Sequence, residues 1–331
     1  MPKENLNQVN YIRAIASLSV AVFHIVCGVS TYLPIDNLVR LLSSFGYLGL
    51  YMFFILTGFI IPFSLPQNYR LLHFPTYLKK RLVRIEPPYL ASILLLLILE
   101  VASATARGAG LNVGGLQLLY HVAYLNNFLG EKFLNPVYWT LGVEFQFYLV
   151  IGLLFSTINK NTLTILASTL LLCALSFYNS TFATFLFSKY GCLFAFGLLT
   201  FYHHIGKITS PIYLGFSILI MISMYWVFGG YVVVTALLTA YILYFIKKPN
   251  RLIDFLSKIS FSLYLIHCPV GGKIINLSTR FATSLPARYL TILLAIAASL
   301  LVAYYFYLYI EKPFMKFSKR LSYNIHNFVI P

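Results

Sequence analysis

Two ionisable residues lie on one predicted helix face in the first apolar stretch of the chain. Arg13 lies near its start, and His24 follows eleven positions later, deep inside it. Eleven positions correspond to three turns plus about 20°, or about 16.5 Å along the helix axis. An arginine at one rim of a bilayer and an imidazole within it form a polar stripe. Spacing alone is equally consistent with a snorkelling arginine and a buried structural histidine.

A carboxylate is expected at a similar depth. Glu144 follows Trp139, a predicted aromatic anchor at the outer interface, by five residues. This spacing places it about 7.5 Å below the outer rim and about 22 Å above the inner rim. Counted from the inner rim, His24 lies about 20 Å up. A carboxylate facing an imidazole can fix its tautomer and raise its basicity, so the two are candidates for a general base and its assistant.

A cationic segment, FPTYLKKRLVRIEPPYL, precedes the third apolar run. Lys80 and Arg84 are four positions apart and Arg81 and Arg84 three apart, so a helix here would present a compact cationic face. Arginine forks suit phosphate oxygens, and lysine adds a point charge. A nucleotide-type anion such as coenzyme A would fit this face. An ordinary stop-transfer cluster that binds anionic lipids is the alternative.

The ninth apolar run contains another polar face. Ser260, Tyr264 and His267 follow at i, i+4 and i+7, and Pro269 is expected to kink the helix. Taken alone, this pattern is most often a polar packing stripe. Glu100, Lys189 and Lys273 are charges expected in the outer halves of their spans. Each is a possible pocket member, and snorkelling or an interhelical partnership is the simpler interpretation.

Charges near other run ends have simple interpretations too. Glu311 and Lys312 lie together at the end of the last run, where mutual neutralisation is a sufficient explanation.

Composition predicts the elements that hold these residues. The chain has 331 residues, of which 60% are hydrophobic and 10% charged, and the mean hydropathy is +0.81. These values predict an all-α polytopic membrane protein with about ten transmembrane helices and no appended soluble domain at either end. The least secure boundary is Gly229–Gly230, and no internal repeat is evident. The ten apolar runs are 10–33, 42–64, 88–106, 139–157, 162–178, 183–203, 210–228, 230–246, 259–277 and 289–310.

The net charge of +16 is better explained by membrane topology than by nucleic-acid binding. Alternate connecting segments carry 17 basic residues on one side and 6 on the other. The positive-inside rule therefore predicts that both termini are cytoplasmic. The four cysteines, Cys27, Cys173, Cys192 and Cys268, have neither disulfide nor zinc-site spacing. Cys27 shares a helix face with His24, but two ligands do not make a metal site, and none is predicted.

Six segments in order resemble the signatures of acyltransferase family 3, polytopic bacterial acyltransferases that modify sugars. The resemblance covers about residues 10–314. Asn10, Glu86 and Phe145 depart from the usual pattern, which leaves the role of an acid beside Arg13 open. The segments are NYIRAIASLSVAVFH, GYLGLYMFFILTGFII, LKKRLVRIEPPY, VYWTLGVEFQFYL, SFSLYLIHCPV and IEKPF.

The resemblance implies a single membrane domain that moves an acyl group, acetyl in the first instance, from cytoplasmic acyl-coenzyme A to a sugar hydroxyl of an extracytoplasmic or exported glycan. His24 is expected to act as general base, or as a transient acyl carrier, with Glu144 assisting it. The expected donor-binding residues are Arg13, Lys80, Arg81, Arg84, Tyr264 and His267. The expected acceptor-binding residues are Trp139, Asn127 and Tyr148.

The resemblance also implies a bacterial inner-membrane location, contact with membrane lipids and a glycan acceptor, with homo-oligomerisation open. A proton-coupled transporter of a glycan or anionic solute is the alternative function, and a non-catalytic partner in glycan assembly is a third. The absence of repeats counts against a transporter.

Overall fold

A computed structural model describes residues 6–110, 113–178 and 183–323 of the chain. Within these ranges the chain forms α-helices, short 3₁₀ and π segments and turns, and no strand occurs there. The α-helices of these ranges are α1 (Asn7–Cys27), α2 (Leu38–Ser44), α3 (Gly49–Phe63), α4 (Phe74–Ala106), α5 (Gly115–Val122), α6 (Tyr138–Ile158), α7 (Thr162–Leu175), α8 (Gly191–His204), α9 (Ser210–Phe228), α10 (Gly230–Phe245), α11 (Arg251–His267), α12 (Lys273–Ser278), α13 (Leu285–Phe306) and α14 (Lys312–Arg320).

These helices confirm an all-α polytopic membrane protein. Each of the ten predicted apolar runs overlaps a helix of the described residues. Six helical stretches of the described residues are long and apolar enough to cross a bilayer, and α7 and α10 are shorter apolar helices. The six long stretches are Asn7–Cys27, Leu38–Phe63, Leu71–Ala106, Tyr138–Ile158, Ser210–Phe228 and Leu285–Arg320.

The insecure boundary between the seventh and eighth runs is a true helix break. α9 ends at Phe228 and α10 begins at Gly230. Gly229 between them has a φ of +89°, a left-handed conformation that glycine adopts without a steric penalty.

α4 is longer than the run that predicted it. The run 88–106 is only its second half, and the basic segment forms its first half. Its 33 residues extend about 50 Å, whereas the hydrocarbon core of a bilayer is about 30 Å thick. The helix therefore carries Arg81 and Arg84 on the same continuous element as the apolar run.

α11 gives way to a π-helical segment over Cys268–Gly272, at the proline expected to kink it. Proline has no N–H and cannot bond the carbonyl four residues earlier. That carbonyl, of Leu265, instead accepts a hydrogen bond from Nδ2 of Asn135 at 3.1 Å. The kink thereby ties α11 to the segment that leads into α6.

α3 and α8 approach each other closely at Gly58. A Cβ atom at this position would lie 2.3 Å from the carbonyl oxygen of Phe194. Small residues permit such backbone contact between membrane helices, where dispersion replaces the hydrophobic effect as the driving force. The crossing fixes the position of Thr57, the residue that precedes Gly58 in α3.

Candidate active site

A cavity of about 290 Å³ lies between α1, α3, α4, α6 and α11. This volume is close to the lower end of the range of about 300–1,000 Å³ for small-molecule sites. Its walls combine apolar side chains with polar ones that converge from distant parts of the chain. The polar lining residues are Arg13, Thr57, Arg81, Arg84, Thr140, Glu144, Tyr148, Ser260, Tyr264 and Glu311.

Three predicted donor-binding cations, Arg13, Arg81 and Arg84, line this cavity. Arg81 is buried, and its guanidinium carbon lies 5.6 Å from the ring centroid of Tyr77 and 5.7 Å from that of Tyr148. Cation–π contacts of this kind hold a guanidinium in place without neutralising it. The cavity therefore holds three guanidinium groups, beside the carboxyl groups of Glu144 and Glu311.

Glu311, at the end of the π-helical segment Tyr307–Glu311, also lines the cavity and is 1% exposed. Its Oε2 accepts a hydrogen bond from Oγ of Ser262 at 2.6 Å. The sequence predicted a rim charge neutralised by Lys312 and gave no indication that Glu311 lines the cavity. Local sequence carries no signal for a π turn, so its position depends on tertiary packing.

Glu144 is anchored inside the cavity by two hydroxyl groups. Thr57 Oγ1 donates to Oε1 at 2.7 Å, and Tyr148 OH donates to Oε2 at 2.9 Å. Each carboxylate oxygen thus has a protein donor. Thr57 was not selected as a site residue from the sequence, although it belongs to the quoted GYLGLYMFFILTGFII segment.

The polar stripes predicted on α1 and α11 face each other. These helices pack along their lengths, and hydrogen-bond contacts join them at three levels. The contacts are Asn10 Nδ2 to Asp254 Oδ1 at 2.9 Å, Arg13 Nε to Ser260 Oγ at 3.1 Å, and His24 Nδ1 to His267 Nε2 at 3.2 Å.

His24 and His267, hereafter the histidine pair, replace the expected contact between His24 and Glu144. His24 is half-buried and His267 fully buried. Matching depths predicted that Glu144 would face His24, but depth does not specify which helices are neighbours. α1 packs against α11, whereas α6 packs against α3 and α4. The imidazole partner of His24 is therefore another imidazole.

Hydrogen-bond partners define the tautomers of two neutral rings here. His267 Nδ1 lies 2.9 Å from the carbonyl oxygen of Leu263, which can only accept, so Nδ1 carries the proton and Nε2 accepts. His24 Nδ1 lies 3.0 Å from the carbonyl oxygen of Val20 and 3.2 Å from His267 Nε2, both acceptors. His24 therefore carries its proton on Nδ1, which leaves a lone pair on Nε2.

Tyr264 lies between the cavity and the histidine pair. Its side chain lines the cavity, its hydroxyl lies 2.6 Å from Oγ1 of Thr140, and its ring centroid is 6.1 Å from that of His267. The histidine pair is not among the lining residues of this cavity in the described structure. The cavity thus reaches the level of Tyr264, one helical turn before His267.

Other predicted site residues lie outside the cavity lining. The ammonium group of Lys80 donates to the carbonyl oxygen of Leu321 and lies 5.3 Å from the ring centroid of Tyr323. The Trp139 ring lies 5.8 Å from that of Tyr190. The side chain of Asn127 lies outside the described residues.

Of the roles left open for Glu100 and Lys273, the structure shows an ion pair between helices. The ammonium nitrogen of Lys273 lies 2.7 Å from Oε1 of Glu100, and this pair joins α12 to α4. These charges therefore stabilise the packing of two helices, away from the cavity lining.

Fold and cavity define a polytopic membrane protein with a cationic, partly buried site. The family described as "Acyltransferase domain" matches residues 6–308, nearly the whole chain. The chain belongs to this acyltransferase family, as the resemblance indicated, and membrane acyltransferase activity is supported in general terms. No significant match was found among curated proteins or among solved structures.

Proposed function

We propose that the protein transfers an acyl group, acetyl in the first instance, from acyl-coenzyme A to a hydroxyl of an extracytoplasmic or exported sugar. One observation carries this proposal. Three arginines line a cavity that ends at Tyr264, one helical turn from a histidine pair whose tautomers leave His24 with a free lone pair. Anion binding and proton abstraction are the two functions that acyl transfer from a thioester requires.

The arginines would bind the donor. Arg13, Arg81 and Arg84 offer forked donors to phosphate and carbonyl oxygens. The cavity is too small for a whole coenzyme, so the acyl-pantetheine end would enter it while the nucleotide stays at the basic rim of α4. Lys80 would contribute at that rim, after release from the carbonyl oxygen of Leu321.

His24 would act as the general base. Its Nε2 takes the proton of the sugar hydroxyl while the hydroxyl oxygen attacks the thioester carbonyl carbon. The carbon–sulfur bond then breaks, and the departing thiolate takes the proton from Nε2. Transient acylation of the same nitrogen is the alternative chemistry.

His267 would hold the ring of His24. The sequence predicted this role for Glu144, from its matching depth in the membrane. When His24 becomes an imidazolium, its Nδ1–H bond to His267 Nε2 becomes a charge-assisted hydrogen bond and strengthens. Glu144, held by Thr57 and Tyr148, would instead organise the arginine-lined donor site.

Tyr264 would control the final step of the donor path. Because its ring separates the cavity from the histidine pair, the thioester reaches His24 only when this side chain rotates away from Thr140. The acceptor would approach from the outer side, with Trp139 and Asn127 as its proposed contacts, whereas Tyr148, which lines the cavity and holds Glu144, would belong to the donor site. We place the protein in a bacterial inner membrane with both termini cytoplasmic, according to the distribution of basic residues.

Mass spectrometry of envelope glycans tests the proposal. A deletion strain should lose one acyl mass from a specific glycan, and plasmid-borne wild-type protein should restore it. His24→Ala should fail to restore it. The matched control is His203→Ala, because His203 contacts Tyr244 and Ser210 away from the cavity. Unchanged glycans in the deletion strain, with altered uptake or export of a solute, would instead support a transporter.

A further inference from the structure

A cysteine lies beside the histidine pair. One ligand atom from each of His24, His267 and Cys268 lies within 4.8 Å of the other two. Cys268 begins the π-helical segment that follows α11, a type of irregularity that often occurs at functional sites. It is a free thiol with no part in the proposed acyl transfer. Sequence spacing did not reveal the cluster, because 243 positions separate the two histidines.

The distances match those of a tetrahedral metal site. Two imidazole nitrogens, each about 2.05 Å from a tetrahedral zinc ion, lie about 3.3 Å apart. His24 Nδ1 and His267 Nε2 are 3.2 Å apart. A thiolate about 2.3 Å from the same ion lies about 3.6 Å from each nitrogen. The sulfur therefore has to approach by at most about 1.2 Å, within reach of a side-chain rotation.

We propose that His24, His267 and Cys268 bind one zinc ion. Imidazole and thiolate ligands favour zinc over hard cations such as magnesium and calcium. His24 and Cys268 are both partly exposed, whereas His267 is buried. Three protein ligands leave the fourth tetrahedral position to water, the arrangement of open zinc sites.

Zinc binding would switch off the base, a consequence that rests on the proposed function. Ligation through Nδ1 of His24 moves the ring proton from Nδ1 to Nε2, and Cys268 releases its thiol proton to solvent. The Nε2 lone pair that would receive the sugar proton is then lost. His267 binds through Nε2 and keeps its Nδ1–H bond to the carbonyl of Leu263. Zinc is therefore expected to act as a reversible inhibitor.

Direct metal titration tests the site without any acyl substrate. The full chain, purified with a tag that lacks histidine, is titrated with zinc against a chromophoric chelator and, separately, with cobalt as a spectroscopic substitute. We expect one site per chain and a thiolate-to-cobalt charge-transfer band. Cys268→Ser should abolish the band and weaken zinc binding at least about tenfold, since even the loss of an outer-shell partner costs 10–100-fold.

Cys27→Ser is the matched control. The thiol of Cys27 lies near the end of α1 and contacts the carbonyl of Arg40 at 3.7 Å, so its loss should leave the band and the affinity unchanged. Equal zinc affinity in wild-type protein and Cys268→Ser, or absence of the charge-transfer band in wild-type protein, would overturn the proposal. Either result leaves acyl transfer untouched, because no donor or acceptor is present in the titration.

Discussion

Removal of the His267 imidazole provides a graded test of how the proposed base is held. His267→Ala deletes the acceptor 3.2 Å from His24 Nδ1 but leaves the carbonyl of Val20, 3.0 Å from the same nitrogen. The ring of His24 therefore keeps one of its two partners. We expect a variant that still catalyses transfer, more slowly than wild type.

The size of this loss follows from the change in charge of His24 during the reaction. A hydrogen bond between neutral groups contributes about 0.5–1.5 kcal/mol, and one to a charged group about 1.5–3 kcal/mol. The contact with His267 thus strengthens by about 1–1.5 kcal/mol as His24 takes the proton. Because about 1.36 kcal/mol corresponds to a factor of ten in rate, kcat should fall about 5- to 13-fold.

Initial rates of coenzyme A release in detergent or nanodiscs provide the assay. The KM for acetyl-CoA should change less than about twofold, because a group that acts only on the transition state affects kcat. His267→Gln keeps an acceptor near Nε2 and should recover most of the rate. An unchanged kcat in His267→Ala, or a loss as large as that of His24→Ala, would refute the reasoning.

Three further predictions address the donor site, the helix packing and the outer loop. Arg81→Ala should raise the KM for acetyl-CoA by at least about tenfold in initial-rate kinetics, as expected for the loss of a charged hydrogen bond. Lys80→Ala, which removes a proposed contact at the rim outside the cavity lining, should raise it by a smaller factor. Gly58→Ala should destabilise the protein by about 1–3 kcal/mol through overpacking, measured by thermal unfolding. Burial lowers the pKa of His121, in α5, to about 4. The unfolded chain protonates this imidazole near pH 6.5, so the stability of the fold should fall as the pH drops from about 6.5 to about 4. The melting temperature of His121→Gln should depend less steeply on pH over this range.

Each of these predictions has a contradicting outcome. Equal KM values for the Arg81 and Lys80 variants would mean that the cavity does not bind the donor. An unchanged unfolding temperature in Gly58→Ala would mean that α3 and α8 do not touch at this crossing. Identical pH profiles of wild type and His121→Gln would show that His121 is not the group that titrates.

Helix positions were predictable because the backbone of a membrane-spanning segment cannot form hydrogen bonds with water. Every buried N–H and C=O group needs a partner within the segment, so a long apolar run forms a helix. The break at Gly229 and the polar faces of α1 and α11 follow from the same local rules, since spacing alone determines which side chains share a face. Arg13 and His24 lie on such a face and meet the stripe of α11.

Contacts between helices were not predictable in the same way. Glu144 and His24 were expected at one height, but height does not determine which helices are neighbours. Glu144 instead meets Thr57 across α3 and α6, and His24 meets His267 across α1 and α11. Thr57 and His267 both lie in segments that resemble the family signatures. To find these contacts one must know which segments pack against each other, and a single sequence does not contain that information.

Helix irregularities account for the remaining differences. Glu311 reaches the cavity from the end of a π-helical segment, and Cys268 meets the histidine pair at the start of another. π turns arise where tertiary contacts compensate the altered hydrogen bonding, as Asn135 does for the carbonyl of Leu265. Their positions therefore depend on the assembled fold more than on local residue types.

Acceptor-dependent release of coenzyme A by purified wild-type protein and His24→Gln, measured side by side with labelled acetyl-CoA, tests the central claim most directly. General acid–base catalysis contributes about 10²–10⁴-fold, so we predict a fall in kcat of at least about 100-fold in the variant. The KM for acetyl-CoA should stay near the wild-type value, because the cavity arginines remain in place. Release by His24→Gln within about threefold of the wild-type rate would contradict the account.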